Sequence, residues 1–329
     1  MVDPLPRHDR QDLLQPGDMV SAYRIDALVG SGGMGRVYRA RHVLEPHTAA
    51  LKVLRHDQLA LDHGVDRMMR EATILASVAH PGLPQFFECG RLADGRPWIA
   101  MELVTGMTLA ARMAHAPLPP ADVRALVRDV ASVLSATHAR GVAHRDLKPD
   151  NIFLTPGDER HDVRVIDWGI AHHRAGARYT NHNEAIGTPT YMSPEQAAGS
   201  APDGLCDVYG LGVVAYQALT GKPPFTGASA VEILVQHMNR PAPPLGPRCP
   251  EAPRALVALV EAMLAKAPEA RPPASALVAA LDELAAVVDP PTCASAPMER
   301  TGPLAMPSAL STEDRLMAAT RPSRTITKP

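Results

Sequence analysis

The chain has 329 residues, room for one large or two modest domains, and its 46% hydrophobic and 21% charged content is that of a soluble globular protein. A net charge of -2 supplies no basic field, so neither nucleic acid nor anionic lipid is an expected partner. Cys89, Cys206, Cys249 and Cys293 form no C-x-x-C pair and have no histidine at metal spacing, which reads as thiols in a reducing compartment. Residues 1–15 are polar and carry both charges, unlike a signal peptide, and no apolar run approaches the ~18 to 20 residues that cross a bilayer. The expectation is a cytoplasmic chain with no membrane segment in this sequence.

Residues 1–22 read as a flexible, Pro-containing arm. From Tyr23 the pattern alternates to Val29, breaks at a glycine cluster, and resumes over Arg36–Val43, which predicts a hairpin with a glycine-rich tip. Ala49–Leu54 predicts a third strand. Val65, Met68, Met69, Ala72, Leu75 and Val78 recur at helical spacing, so 65–79 is expected to be an amphipathic helix ended by His80-Pro81-Gly82. Phe86–Leu92 and Trp98–Leu103 supply two more strands around the turn Ala93-Asp94-Gly95. After Val104 the chain turns helical: one long helix through Val123, Leu126, Val127, Val130, Val133 and Leu134, then short apolar runs at 151–154 and 163–166. Further helices are expected at 205–220, 228–239, 252–265 and 274–288. A β-rich part (23–104) followed by a larger helical part (105–289) is the pattern of two lobes meeting at a cleft, an α+β architecture. Residues 290–329 are rich in Pro, Ser and Thr without any period and read as a disordered tail.

The chemistry concentrates in His144-Arg145-Asp146-Leu147-Lys148-Pro149-Asp150-Asn151, followed by Asp167-Trp168-Gly169. Asp146 is a candidate general base for a hydroxyl, and Lys148 a cation to steady a phosphoryl group in transfer. Asn151 and Asp167 offer the oxygen ligands that hard Mg²⁺ prefers. Gly30-Ser31-Gly32-Gly33-Met34-Gly35-Arg36-Val37 fits G-x-G-x-x-G-x-V, whose exposed amides can cover phosphates while Val37 packs on a base. A dinucleotide-binding loop would need a helix directly after the glycines, and a strand follows here. Lys52 lies in an apolar strand, where a lysine is costly unless paired or on phosphate, and Glu71 on the next helix is its expected partner. No histidine falls at zinc spacing, and His144 reads as a packed structural residue.

These motifs resemble the protein kinase family, specifically the eukaryotic-like Ser/Thr kinases of bacteria, over about residues 23 to 288. The resemblance implies a two-lobed kinase fold, with ATP and Mg²⁺ (or Mn²⁺) as cofactors and Ser/Thr-bearing proteins as substrates. It makes Met101 the gatekeeper and gives Glu102 and Val104 hinge backbone contacts to adenine, with Ala50 beside it. Glu195 of Ser193-Pro194-Glu195 would pair with Arg271, and Asp207 would anchor the loop carrying Asp146. Lys148 and the segment Gly187–Tyr191, where Thr188 would contact Asp146 and Lys148, point to serine/threonine over tyrosine. Ile170 suggests a threonine preference. Trp168 departs from the usual Phe and is expected to keep an aromatic wedge against the helix of Glu71.

Arg145 before the catalytic Asp goes, in this family, with activation-loop control. Thr180 is the expected autophosphorylated site, pairing with Arg145, in a mobile segment 171–186. Transient homodimers for autophosphorylation are implied by the resemblance alone. Family members often continue into a membrane span and sensor, so the sequence is either a soluble member or part of a longer protein. A pseudokinase scaffold that binds nucleotide without catalysis is the alternative. It would typically lack one of Lys52, Glu71, Asp146, Asn151 and Asp167, and all five are present. A small-molecule phosphotransferase would lack the Gly187–Glu195 platform and Arg271.

Overall fold

The computed structural model describes residues 13–32, 35–56, 69, 72–155, 162–168, 189–200 and 202–288. Glu71, Gly169, Ile170, Thr180 and Thr188, together with the segment 171–186 and the tail from 290, lie outside them.

The first half is an antiparallel sheet in the order β1-β2-β3-β4-β6-β5. Its strands are β1 (Met19–Val20), β2 (Tyr23–Ser31), β3 (Gly35–His42), β4 (Thr48–Leu54), β5 (Phe86–Arg91) and β6 (Pro97–Glu102). Alternation along each strand divides it into two faces. Tyr38, Ala40, Ala49, Leu51, Val53, Trp98 and Ala100 build one buried cluster. The cross-strand register pairs Gly30 with Val37, Val37 with Lys52, Lys52 with Ile99, and Ala50 with Met101. Strand partners share a face, so Gly30, Val37, Ala50, Lys52 and Met101 all belong to the opposite one. The β3–β4 turn is closed by Glu45, whose N–H donates to His42 Nδ1 at 3.0 Å and whose carboxylate lies 3.3 Å from His47 Nδ1.

The arm expected through residue 22 is tied down from Leu14 onward. Leu14 N–H donates to the Tyr38 hydroxyl (3.2 Å), Gly17 and Asp18 exchange backbone bonds with Ile25, and Val20 is buried. A two-residue strand is too short to show alternation in the sequence.

The second half is built on α2 (Pro120–His138) and α4 (Gly204–Thr220), preceded by the short α1 (Leu109–Met113) and joined by α3 (Pro194–Ala197), α5 (Ala230–Asn239), α6 (Arg254–Met263) and α7 (Ala274–Val288). Proline at the first position and the stripe Val123, Leu126, Val127, Val130, Val133 and Leu134, all buried, account for α2. Helix α4 is buried almost all round. Asp203 caps its start (Leu205 N–H to Oδ1, 2.8 Å), and Gly221, at φ 76°, ends it. A Cβ on Gly204 would sit 2.7 Å from the His138 ring, so this glycine lets α2 and α4 meet closely where His138 reaches Asp207. No helix among the described residues is long and apolar enough to cross a membrane. A second, three-stranded sheet, β7 (Met107–Thr108), β8 (Ile152–Leu154) and β9 (Val163–Val165), lies in this half.

Candidate active site

The pairing of β8 with β9 assembles the site. Ile152 faces Val165, and Ile166 N–H donates to the Asn151 carbonyl at 2.9 Å. Asn151 enters β8 where Asp167 leaves β9, so antiparallel pairing brings both oxygen-bearing side chains to one edge.

Asp146 is held in the segment before β8. Lys148 Nζ donates to Asp146 Oδ2 at 2.8 Å, and Asn151 Nδ2 donates to the Asp146 backbone carbonyl (2.8 Å) and to Oδ2 (3.4 Å). With its amide nitrogen used in this way, Asn151 presents Oδ1 as its remaining acceptor. His144 is fully buried, as expected. Its Nε2 must donate to the Ile166 carbonyl (2.9 Å), which leaves Nδ1 to accept the Asp146 N–H (3.3 Å).

The loop carrying these groups hangs from Asp207 on α4. Its two oxygens accept the amides of His144 and Arg145, both at 2.7 Å, and His138 Nε2 donates to Oδ2 at 2.8 Å. Burial alone would raise the Asp207 carboxyl, but the His138 bond and charge and the histidine and amide neighbours outweigh it and hold it below 3.8. Arg145 (φ 65°) and Asp167 (φ 58°) are left-handed, a conformation costing a non-glycine residue about 1–3 kcal/mol that only a fixed surround maintains.

Lys52 Nζ is ion-paired with Asp167 Oδ1, joining the sheet to the helical half. Burial pushes the Asp167 carboxyl up, but the Lys52 charge and hydrogen bond, with His144 and Lys148 beyond, hold it below its ordinary value. The expected partner, Glu71, lies outside the described residues. Trp168 is buried in the same apolar core as Leu75, the helical residue four places beyond Glu71. It packs on His144 (ring centroids 4.7 Å), and its Nε1 donates to the Val165 carbonyl at 3.0 Å, a tether that phenylalanine could not make.

In the glycine loop the surroundings of the glycines differ. A Cβ on Gly32 would meet nothing within 4 Å and one on Gly30 only the Val37 Cβ at 3.9 Å, which leaves both open to an approaching ligand. At Gly35 it would lie 2.6 Å from the Val53 carbonyl oxygen. Gly35 is thus needed for the close approach of β3 to β4. Ala50 is buried and Val37, Met101, Glu102 and Val104 are half-buried. Glu102 N–H is committed to the Gln85 carbonyl at 2.7 Å, so a contact to adenine from this residue falls to its carbonyl.

The Glu195–Arg271 pair forms as expected and is bidentate (2.7 and 2.8 Å), with Arg271 also donating to the carbonyls of Leu205, Ala265 and Lys266. Sequence reasoning missed the polar cluster beside it. Lys266 Nζ donates to the His237 carbonyl (2.7 Å) and lies 4.4 Å from the Phe225 ring centroid, while the Tyr209 hydroxyl meets His237 Nδ1 at 2.9 Å. Burial, and then the Lys266 charge, push His237 down from 6.5 to about 4. The folded state resists protonating this imidazole, so the unfolded chain binds more protons between pH 6.5 and 4 and stability falls as pH drops through that window. The expected loss is on the order of 3 kcal/mol. Urea titrations of the wild-type protein and His237→Gln should diverge below about pH 6.5, with the flatter profile for the variant. Parallel profiles would contradict this assignment.

A glycine-turned antiparallel sheet whose lysine meets a carboxylate of a helical half defines the two-lobed kinase fold. The protein kinase domain model matches residues 23–280, and the chain belongs to that family. It is 41% identical over 258 residues to the serine/threonine-protein kinase pkn3 of Myxococcus xanthus, covering 76% of this chain and 47% of that protein. It is 37% identical over 263 residues to the serine/threonine-protein kinase PknB of Mycobacterium tuberculosis, covering 78% and 41%. The crystal structure of the M. tuberculosis PknI kinase domain superposes with a TM-score of 0.65 at 30% identity, covering 83% of this chain and 99% of that one. The chain spans less than half the length of the two curated relatives.

Proposed function

We propose that this domain transfers the γ-phosphoryl of ATP to serine and threonine hydroxyls of proteins. The observation that supports this best is the convergence of Lys148 and Asn151 on the Asp146 carboxylate beside an Asp167 paired to Lys52. Asp146 accepts the proton of the attacking hydroxyl, Lys148 meets the charge of the group in transfer, and Lys52 holds the α/β-phosphates with Glu71 behind it. Gly30, Gly32 and Gly35 shape the loop over the phosphates. Val37, Ala50 and Met101 line the adenine site, with the Glu102 carbonyl and Val104 amide at the hinge. Asn151 Oδ1 and the Asp167 carboxylate form a hard-oxygen donor pair that would hold Mg²⁺, or Mn²⁺, which neutralises phosphate charge when bound.

The same reading has lobes at 23–104 and 105–289, Thr188 on the substrate platform, and phospho-Thr180 pairing with Arg145. It also includes a cytoplasmic location and transient self-association during autophosphorylation. Among the described residues, no feature of the site favours the scaffold alternative. Transfer of label from γ-³²P-ATP to casein, recovered as phosphoserine and phosphothreonine, is the expected result. Binding of ATP without transfer to any protein acceptor would overturn the proposal.

A further inference from the structure

Resting on the kinase reading, we infer that Gln196 is a positioning residue for Asp146, coupling the segment 189–196 to the reacting carboxylate through the backbone of Arg145.

Arg145 immediately precedes Asp146 and is left-handed, so the direction in which Asp146 leaves the loop depends on how the Arg145 peptide groups are held. Its N–H is fixed by Asp207 Oδ1 at 2.7 Å. Its carbonyl is fixed from the other side by Gln196 Nε2 at 2.8 Å. No other residue of α3 reaches the loop with a side-chain hydrogen bond among those described.

The Gln196 amide has no freedom to do otherwise. Its Oε1 accepts the Ser193 N–H (3.0 Å) and the Ser193 hydroxyl (3.2 Å), so its nitrogen must point at Arg145. Ser193 is fully buried, and its hydroxyl oxygen in turn accepts the Gln196 N–H (3.4 Å), closing a reciprocal cap on α3. Capping alone would use only the Gln196 oxygen. The donor to Arg145 is a second commitment, spanning 51 positions in the sequence, and a helix cap has no use for it.

On the other side, the neighbouring Glu195 is locked to Arg271, and Tyr191, in the turn Pro189–Tyr191 just upstream, donates to Gln217 Oε1 at 2.7 Å. The segment before and including α3 is therefore anchored to the helical core at two points. Gln196 is the point at which that anchored segment grips the loop bearing Asp146. A shift of 189–196 is transmitted to Asp146 as a change at the Arg145 carbonyl.

The test uses Gln196→Met, which keeps the length and removes the donor, and Gln196→Glu, which keeps the acceptor oxygen that caps Ser193 and removes the donor to Arg145. Single-turnover phosphoryl transfer, ATP affinity, thermal midpoint and hydrogen exchange over residues 143–148 are read for each in the full chain. Both variants should lose about tenfold in single-turnover rate, keep ATP affinity within about twofold, and show faster exchange over 143–148. Gln196→Glu, with the cap preserved, separates loss of the grip from loss of the helix. A transfer rate within about twofold of wild type, or a loss matched by equal weakening of ATP binding, would overturn the inference. Unchanged exchange over 143–148 would overturn it even if the wild-type chain transfers no phosphoryl group, an outcome that would separately overturn the kinase reading.

Discussion

Asp207→Ala should lower stability by about 3–5 kcal/mol, or roughly 10 °C in thermal midpoint, and abolish phosphoryl transfer in whatever fraction folds. The carboxylate is buried and accepts the amides of His144 and Arg145, the His138 imidazole and, more weakly, the Cys206 thiol. Truncation leaves those amides facing an apolar void, where each unsatisfied group costs about 1–3 kcal/mol. It also frees the loop that aims Asp146. Asp207→Asn keeps the volume but turns an NH₂ toward one of the amides, so it should fold and still lose most activity. The acid limb gives a further signature. Because the folded carboxyl titrates below 3.8, its contribution is complete above about pH 4 and disappears as pH falls below that. Acid unfolding of Asp207→Asn should lack this component. Calorimetry and a urea–pH series check both statements, and a variant as stable and as active as wild type would refute them.

Lys52→Met should reduce the transfer rate about 10²- to 10³-fold while leaving the fold intact. Lys52 stands on a sheet face fixed by its register with Val37 and Ile99, so a methionine of similar length packs there without moving the strand. The loss is electrostatic. Lys52 is the largest influence holding the Asp167 carboxyl down against burial, so removing it should move the Asp167 titration upward. Carboxyl NMR of Asp167 in the two proteins reads that shift directly. An unmoved titration, or a rate within a few-fold of wild type, would contradict the role given to the pair.

Most of the fold was legible because its determinants are local. Alternation in 23–54 and 86–102, the stripe of α2 and the Pro-punctuated helices after 204 needed only period and punctuation. The set Asp146, Lys148, Asn151 and Asp167 was legible because its spacing on one loop and one hairpin brings it together with little help from the rest of the chain. What was missed depends on distant partners. The anchoring of residues 14–20 comes from a few hydrogen bonds with Ile25 and Tyr38 and the short pairing of β1 with β2. The Gly35 constraint comes from the neighbouring strand. The grip of Gln196 on Arg145 exists only once α3 lies against the loop. His237, Lys266 and Tyr209 are joined only by packing of α4, α5 and the turn after α6.

In the proposed reaction the Asp146 constellation moves a phosphoryl group onto protein hydroxyls. The most direct test is intact mass and phosphosite mapping of phosphatase-treated protein after incubation with Mg-ATP, beside Asp146→Asn. Added phosphate on threonine, Thr180 included, is the expected result in the wild-type chain, with none in the variant. Equal mass in both proteins, with ATP binding intact, would contradict it.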